Sequence, residues 1–200
     1  ARLLLLTVLF VMLAEVLIYA PSAGRFRLMY LQNHLADAHL AVLSLSAMPE
    51  QPLRPAMEKT LLLHIGAYSV EARLGTHFLP MLGGEKPPPV DANFILDEGT
   101  FFSLIGDAFM TLIQTENRVL RVIGPSPLDG SVRVEVIMDE APMRAELLDY
   151  SQRILQLSLF ISAITAALVY LSLQLMIVRP IGELTSLMLR FRAAPEDETV

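Results

Sequence analysis

The sequence predicts an α+β membrane protein in which two apolar helices flank a soluble domain. The chain has 200 residues, of which 54% are hydrophobic and 18% are charged, and its mean hydropathy is +0.51. The apolar residues are concentrated near the two ends, whereas the middle carries helical and strand-like patterns. We therefore expect a membrane helix over 1–20, a soluble domain over 21–153, a second membrane helix over 154–178 and the start of a further helix within 179–200.

The composition excludes several classes of protein. A net charge of −6 argues against nucleic acid as a partner, because neutralising phosphates requires clustered lysine and arginine. The chain has no cysteine, which rules out disulfides, thiolate metal sites and a cysteine nucleophile. The high apolar content rules out a disordered or collagen-like chain.

The two apolar segments differ in length and charge. The segment 154–178 has no charge and would reach about 37 Å as a helix, more than the roughly 30 Å hydrocarbon core of a bilayer. The segment 3–20 contains one charge, Glu15, and would reach about 27 Å. A signal-peptide core is the alternative for this first segment, but such cores are usually shorter and precede a small-residue cleavage site. We expect an uncleaved membrane helix.

Two membrane helices place both chain ends on the same side of the membrane. The arginines near the predicted spans give only a small bias between the two sides, and long loops cross membranes largely regardless of charge. The cytoplasm is the expected side for the ends, so 21–153 is expected outside it. The chain lacks an initiator methionine and stops in a charged run, and we expect it to be a fragment of a longer protein.

A helical stalk is expected directly after the first span. Apolar residues recur there at intervals of three and four, as in a helix that packs along its length against other helices; they are Leu28, Leu31, Leu35, Ala38, Val42 and Leu45. Pro49 and Pro52 end this helix. A short helix is predicted over 55–65, with Pro55 in its first turn and Gly66 beyond its last.

Apolar residues with a period of two predict a small antiparallel sheet. Residues 68–74 alternate between apolar and polar side chains, and 77–82 is a short candidate partner. Two further strands are predicted over 118–123 and 132–138. The residues between them, 124–130, are rich in glycine and proline, which favours a hairpin.

Helices are predicted between and after these strands. Asp97 is the expected N-cap of a helix over 98–114, which follows a short apolar stretch at 94–96. Asp139 is the expected cap of a helix that continues unbroken into the second span, with Glu140 and Pro142 in its first turn. A four-helix bundle is the competing architecture, but the alternating strands count against it.

A coiled-coil-like helix begins immediately after the second span. Its apolar residues recur at intervals of three, four and three; they are Ile181, Leu184, Met188 and Phe191. Pro180 at the start of this helix fixes φ and loses no needed hydrogen-bond donor, so it is suited to be a defined joint. An amphipathic helix without a signalling role is the alternative.

This junction resembles the start of a HAMP linker, as found in bacterial sensor histidine kinases and chemoreceptors. The matching residues are Arg179, Pro180, Ile181 and Leu184 directly after a span, followed by Met188, Phe191 and a charged connector at 195–198. The wider stretch from Val134 onward looks like the sensor half of a proteobacterial histidine kinase. The order of helices and strands between the two stalks resembles the PAS-like sensor domains of bacterial receptors.

The resemblance implies a function for the longer protein. This chain would be the sensory and transmembrane part of a two-component sensor histidine kinase in the bacterial inner (plasma) membrane, with a periplasmic PAS-like domain over 21–153. It implies a homodimer in contact with membrane lipid, an unknown periplasmic ligand and a cognate response regulator. ATP and Mg²⁺ are expected for a kinase domain that this sequence does not contain, so no catalytic residue and no cofactor are assigned here. The front end of a chemoreceptor or of a HAMP-coupled diguanylate cyclase, and a purely structural two-span protein, are the alternatives.

Glu15 is the most informative polar residue of the apolar segments. A carboxylate in mid-membrane costs on the order of 3 kcal/mol, so it is expected to face protein, water or a partner. Its expected hydrogen-bond partners are Thr7 or the polar residues of the second span, Ser158, Ser162, Thr165, Ser172 and Gln174. We predict that Glu15 takes part in signal transmission together with Pro180 and the helix that follows; a protonated bystander is the alternative.

The soluble domain offers weak candidates for ligand binding. Four arginines on or beside predicted strands are suited to an anionic ligand such as a carboxylate, although outward-facing arginines are usually solvated; they are Arg73, Arg118, Arg121 and Arg133. The four histidines lack the spacing of a metal site and are expected to be solvated or capping residues; they are His34, His39, His64 and His77.

Overall fold

The structure is a computed structural model that describes residues 2–46, 55–75, 77–79, 81–83 and 87–178. The helices of this part are α1 (Arg2–Ser46), α2 (Pro55–Ile65), α3 (Phe101–Ile113) and α4 (Ala141–Leu173), and the strands are β1 (Ala67–Leu74), β2 (His77–Phe78), β3 (Ala92–Ile95), β4 (Val119–Pro125) and β5 (Val132–Asp139). A 3₁₀ turn, Leu96–Glu98, precedes α3, and a π-helical turn, Gln174–Val178, follows α4. The chain is therefore α+β, as predicted.

The chain forms two compact units. Of the described residues, one unit contains 2–17 and 153–178, and the other is Ile18–Gln152. Helices α1 and α4 each contribute residues to both units. Pro21 lies inside α1, which continues through it to Ser46.

The two long helices carry the apolar segments. Val8–Ser46 and Ala141–Met176 are long and apolar enough to cross a membrane, by length and composition, and little of their most apolar windows is buried. The side chains left exposed in the first unit include Leu9, Phe10, Leu155 and Leu159. A solvent-exposed apolar surface of this kind is unfavourable in water and suits a lipid environment.

The second unit contains a five-stranded mixed sheet in the order β2-β1-β5-β4-β3. β1 pairs antiparallel with β2 and β5, and β4 and β5 form the predicted antiparallel hairpin. The expectation of a wholly antiparallel sheet is wrong for β3, which pairs parallel with β4. α3 lies between β3 and β4 in the chain, and a crossover of this length is what a parallel connection requires.

Several helices and strands begin or end a few residues away from their predicted boundaries. α3 begins at Phe101 and not at 98, because Thr100 is the N-cap and its Oγ1 accepts a hydrogen bond from the Ser103 backbone N–H at 3.3 Å. Asp97, the predicted cap, instead accepts a hydrogen bond from Arg133. Among the described residues of the predicted strand over 77–82, β2 forms, and Leu82 makes an isolated bridge with Val70.

The start of α4 also differs from the prediction. Asp139 is the last residue of β5, and its carboxylate accepts hydrogen bonds from Tyr68 and Asn117. α4 therefore begins at Ala141, and Glu140 is the residue that directly precedes it.

The core of the second unit lies between the stalk part of α1 and one face of the sheet. The predicted seam of α1 is buried there except for Leu28, which is half-buried. The sheet contributes the side chains that point toward α1: Val70, Ala72, Leu120, Val122, Val134 and Val136. A second, smaller cluster joins α1, α3 and α4 through Ala23, Ala108 and Leu147.

Gly24 permits a close approach between α1 and α3. A Cβ atom at Gly24 would lie 3.2 Å from backbone atoms of Leu104 and Ile105. We expect Gly24→Val to lower the free energy of unfolding by about 2 kcal/mol, because backbone atoms cannot move aside as a side chain can. Gly106→Val is the matched control, since that glycine has no atom within 4 Å of an added Cβ, and it should change stability by less than about 0.5 kcal/mol. Urea-dependent hydrogen exchange in lipid nanodiscs measures both; equal losses would contradict the close approach.

Candidate functional site

The predicted signal-transmission residues fall into two groups. Pro180, Ile181, Leu184, Met188 and Phe191 lie outside the described residues. Glu15 lies in the first unit, where its Oε1 accepts a hydrogen bond from Ser162 Oγ at 2.7 Å. Ser162 is one of the partners that the sequence offered, and it is buried. The Glu15 carboxyl group therefore faces α4 and not open lipid.

A group of polar side chains in the second unit has a buried centre, and we call it the stalk network: Arg27, Asp107, Thr111, Arg118 and Glu140. The Arg118 and Asp107 side chains at its edge are 22% and 37% exposed. Arg27 and Glu140 are each only 2% exposed. Arg27 Nε donates to Thr111 Oγ1 at 3.1 Å, and Thr111 Oγ1 donates to Glu140 Oε1 at 2.8 Å. Arg118 donates from Nε and Nη2 to the two Glu140 oxygens at 2.6 and 2.8 Å. The network thus runs without interruption from α1 to the residue before α4.

The charges of the stalk network compensate one another. Burial lowers the pKa of Arg27, and the carboxylates of Asp107 and Glu140 oppose this change. The hydrogen bonds with Glu140 raise the pKa of Arg118. Both arginines remain cations at neutral pH, and they face two acidic side chains. A buried pair of this kind loses most of its stabilisation when one partner is removed.

The Arg27 guanidinium has further neighbours and one unused donor. Its Nη1 lies 3.8 Å from Asp107 Oδ2, and its carbon Cζ lies 4.1 Å from the centroid of the Phe94 ring. Its Nη2 is buried and has no hydrogen-bond partner among the described residues. Arg27 therefore holds α1 against both α3 and the β3 strand.

A second set of contacts joins α1 directly to α4 near the apolar segments. Tyr19 shares a hydrogen bond with Ser151, and Ser22 shares one with Tyr150. The rings of Phe26 and Tyr150 are stacked, with their centroids 4.5 Å apart. These contacts and the stalk network connect the two long helices within the second unit.

The stalk network was not predicted from the sequence, although one signal was present. Arg27 lies four residues before Leu31, on the same helical face as the buried seam, and a charge at such a position is expected to be buried and paired. Thr111 and Glu140 gave no comparable signal, because their partners are distant in the sequence.

The four candidate arginines each face a carboxylate. Arg118 belongs to the stalk network. The other three lie on the sheet face opposite α1: Arg73 pairs with Glu71, Arg121 with Glu135, and Arg133 with Asp97. An anionic ligand at any of them would have to compete with that acid, and ligand binding there stays a prediction.

The histidines do not share one environment. The expectation of solvated or capping histidines is wrong for His39, which is buried, with its Nδ1 2.7 Å from Ser126 Oγ in the segment between β4 and β5. His39 is buried because it is next to Ala38 on the seam of α1. His34 stacks on the Tyr30 ring, and His64 and His77 are exposed.

Within the part of the chain that the structure describes, no three His, Asp or Glu side chains lie close enough to hold a metal ion.

Comparisons with protein-family models, with curated proteins and with solved structures found no match to this chain.

Proposed function

We propose that this chain is the sensory and transmembrane part of a two-component sensor histidine kinase. The observation that carries the proposal is the stalk network. It links α1 with the start of α4 through buried charges in one domain, and each of these helices also contains a segment that is long and apolar enough to cross a membrane. A domain built in this way can convert a local change into a change in two membrane helices.

The apolar segments support a place in the inner membrane. Their large side chains are exposed along both helices, and lipid is the environment in which such exposure is favourable. Glu15 is held by Ser162 in the same unit, as expected for a carboxyl group that must avoid lipid. The domain between the segments would then be periplasmic.

The architecture of the domain supports a PAS-like sensor. A small sheet is covered on one face by the stalk part of α1, and the domain begins and ends in long helices. The HAMP assignment depends on the resemblance of residues 179–191, which begin directly after the π-helical turn at the end of the described chain.

Signalling in this proposal is a shift between two helix arrangements. A periplasmic ligand that binds one arrangement better than the other changes their populations, and a bias of a few kcal/mol is sufficient. The stalk network would hold the resting arrangement of α1 and α4 in each subunit of a homodimer. The missing cytoplasmic domains would use ATP and Mg²⁺ to phosphorylate a histidine and would pass the phosphoryl group to a response regulator.

The test is a fusion that supplies the missing domains. Residues 1–200 are joined to the second HAMP helix and the kinase domains of a characterised histidine kinase, and autophosphorylation from radiolabelled ATP is measured in membranes. We expect autophosphorylation, and we expect Arg27→Met to change its rate about tenfold, which corresponds to a change of about 1.4 kcal/mol in the balance between the two states. Arg121→Met is the matched control, because the Arg121 side chain is 41% exposed and Arg27 is 2% exposed.

The outcomes separate the parts of the proposal. Equal rates for Arg27→Met and Arg121→Met would contradict the role of the stalk network. Unchanged phosphorylation and dimerisation in Glu15→Leu would remove Glu15 from signal transmission. The gene sequence beyond Val200 tests the output: a histidine helix and an ATP-binding domain are expected, whereas a methylated coiled coil or a GG-D/E-F module would make the chain the front end of a different receptor.

A further inference from the structure

Helix α3 leaves an apolar surface uncovered. Its sequence, FFSLIGDAFMTLI, has one charge, Asp107. Four large apolar side chains of this helix are exposed: Phe101, Phe102, Met110 and Ile113, with Phe102 at 80% and Ile113 at 73%. No described side chain covers them. Phe102 and Ile113 lie on one side of the helix, since eleven residues make about three turns, and an exposed apolar patch on a soluble domain usually marks a surface that contacts a partner or a membrane.

The position of α3 places this surface beside the end of the first apolar segment. α3 crosses α1 closely at Gly24, where its backbone is 3.2 Å from the site of a Cβ atom. The Phe109 ring packs edge-on against the Tyr19 ring, with centroids 6.1 Å apart. Tyr19 belongs to the apolar segment 3–20 itself. One side of α3 therefore lies at the level where the predicted span ends.

The rotation of α3 about its own axis determines which of its residues face the end of the predicted first span. Asp107 and Thr111 contact Arg27, which lies eight residues, or about 12 Å, farther along α1 than Tyr19. Phe109 contacts Tyr19, so it marks the opposite side of the helix. Phe102 is two turns before Phe109 and Ile113 about one turn after it, so both share the Phe109 side.

We propose that the side of α3 formed by Phe102, Phe109 and Ile113 docks into the outer leaflet of the membrane. The helix would lie flat in the interface with its apolar side below the headgroups and its Asp107 side toward the domain core. Lipid is favoured as the occupant because the surface is continuous, through Phe109 and Tyr19, with the end of a helix proposed to enter the bilayer. The docking side carries no lysine or arginine, so zwitterionic phospholipid is sufficient to bind it.

This inference depends on the proposed membrane-spanning function and extends it. α3 also supplies Asp107 and Thr111 to the stalk network. The depth at which the docked helix lies in the leaflet is therefore coupled to the contacts between α1 and α4, and lipid packing becomes an input to the sensor.

The absence of cysteine from the chain provides a direct test. Single cysteines in place of Phe102 and Ile113 are spin-labelled in the full chain, in phosphatidylcholine nanodiscs. Electron paramagnetic resonance then compares collisions with oxygen, which enriches in lipid, and with a neutral nickel chelate, which stays in water. Ser103→Cys is the control on the adjacent side of α3, Leu63→Cys is the control on exposed α2, and Leu159→Cys reports on the second apolar segment.

We expect oxygen collisions to dominate at 102, 113 and 159, and nickel collisions to dominate at 103 and 63. Nickel-dominated labels at 102 and 113, with 159 in lipid, would overturn the docking and leave the membrane helices intact. Dipolar broadening between labels at 102, with few collisions of either kind, would overturn it in favour of a contact between two copies of the chain. A water signal at 159 would overturn the spanning helices themselves, and the docking with them.

Discussion

Glu140→Gln is expected to lower the free energy of unfolding of the second unit by about 3 kcal/mol, the usual cost of removing one partner from a buried ion pair. The substitution keeps the shape of the side chain but removes its charge. Arg27 would then keep Asp107 at 3.8 Å, and Arg118 would keep only the coulombic attraction of Asp91 and Asp107. The loss is measured from urea-dependent hydrogen exchange of the β4 and β5 peptides in the full chain in nanodiscs.

The chain contains a closely matched control for this experiment. Arg121 donates to Glu135 from the same two nitrogens at the same distances, 2.6 and 2.8 Å, as Arg118 does to Glu140. The Arg121 and Glu135 side chains are 41% and 18% exposed, against 22% and 2% for Arg118 and Glu140, so Glu135→Gln should cost about 1 kcal/mol, less than Glu140→Gln. A loss as large as that of Glu140→Gln would show that burial does not determine the strength of these pairs.

Leu35→Ala is expected to cost about 3 kcal/mol, because deleting a fully buried leucine leaves a cavity that its neighbours fill only in part. Leu35 is fully buried on α1, and its Cδ1 lies 3.1 Å from the site of a Cβ atom at Gly124. It therefore fills the space above β4 that the glycine leaves open. The same exchange measurement reports the loss.

Leu63→Ala is the control for the core substitution. Leu63 lies on α2 and is 73% exposed, so its truncation should change stability by less than about 0.5 kcal/mol. Comparable losses for the two variants would mean that α1 does not pack on the sheet as described.

The elements that depend on local patterns were predictable from the sequence. The bounds of α2 agree with the prediction, and the seam of α1 and the β4–β5 hairpin are confirmed. The two predicted aspartate caps, Asp97 and Asp139, were wrong because both carboxylates bind side chains from distant parts of the chain. β3 was not predicted as a strand, since its four residues are too short for a clear pattern, and its parallel pairing with β4 is selected by tertiary packing.

The site was less predictable than the fold. Glu15 and Ser162 were named as possible partners, because a carboxyl group in an apolar segment has few alternatives. The pairing of Arg27 with Thr111 and Glu140 joins three parts of the chain that no short motif connects. His39 was expected to be a solvated or capping residue, although its place beside the seam of α1 was a local sign of burial; its partner Ser126 is distant in the sequence.

Pro21, inside α1, has a mechanical consequence. A proline there has no N–H to donate to the Leu17 carbonyl, and its ring crowds that oxygen. α1 is therefore most compliant to bending in the turn that begins at Leu17, the last residue of the first unit's N-terminal part. Bending of α1 is therefore expected to begin at this turn, because it has one backbone hydrogen bond fewer than the turns on either side.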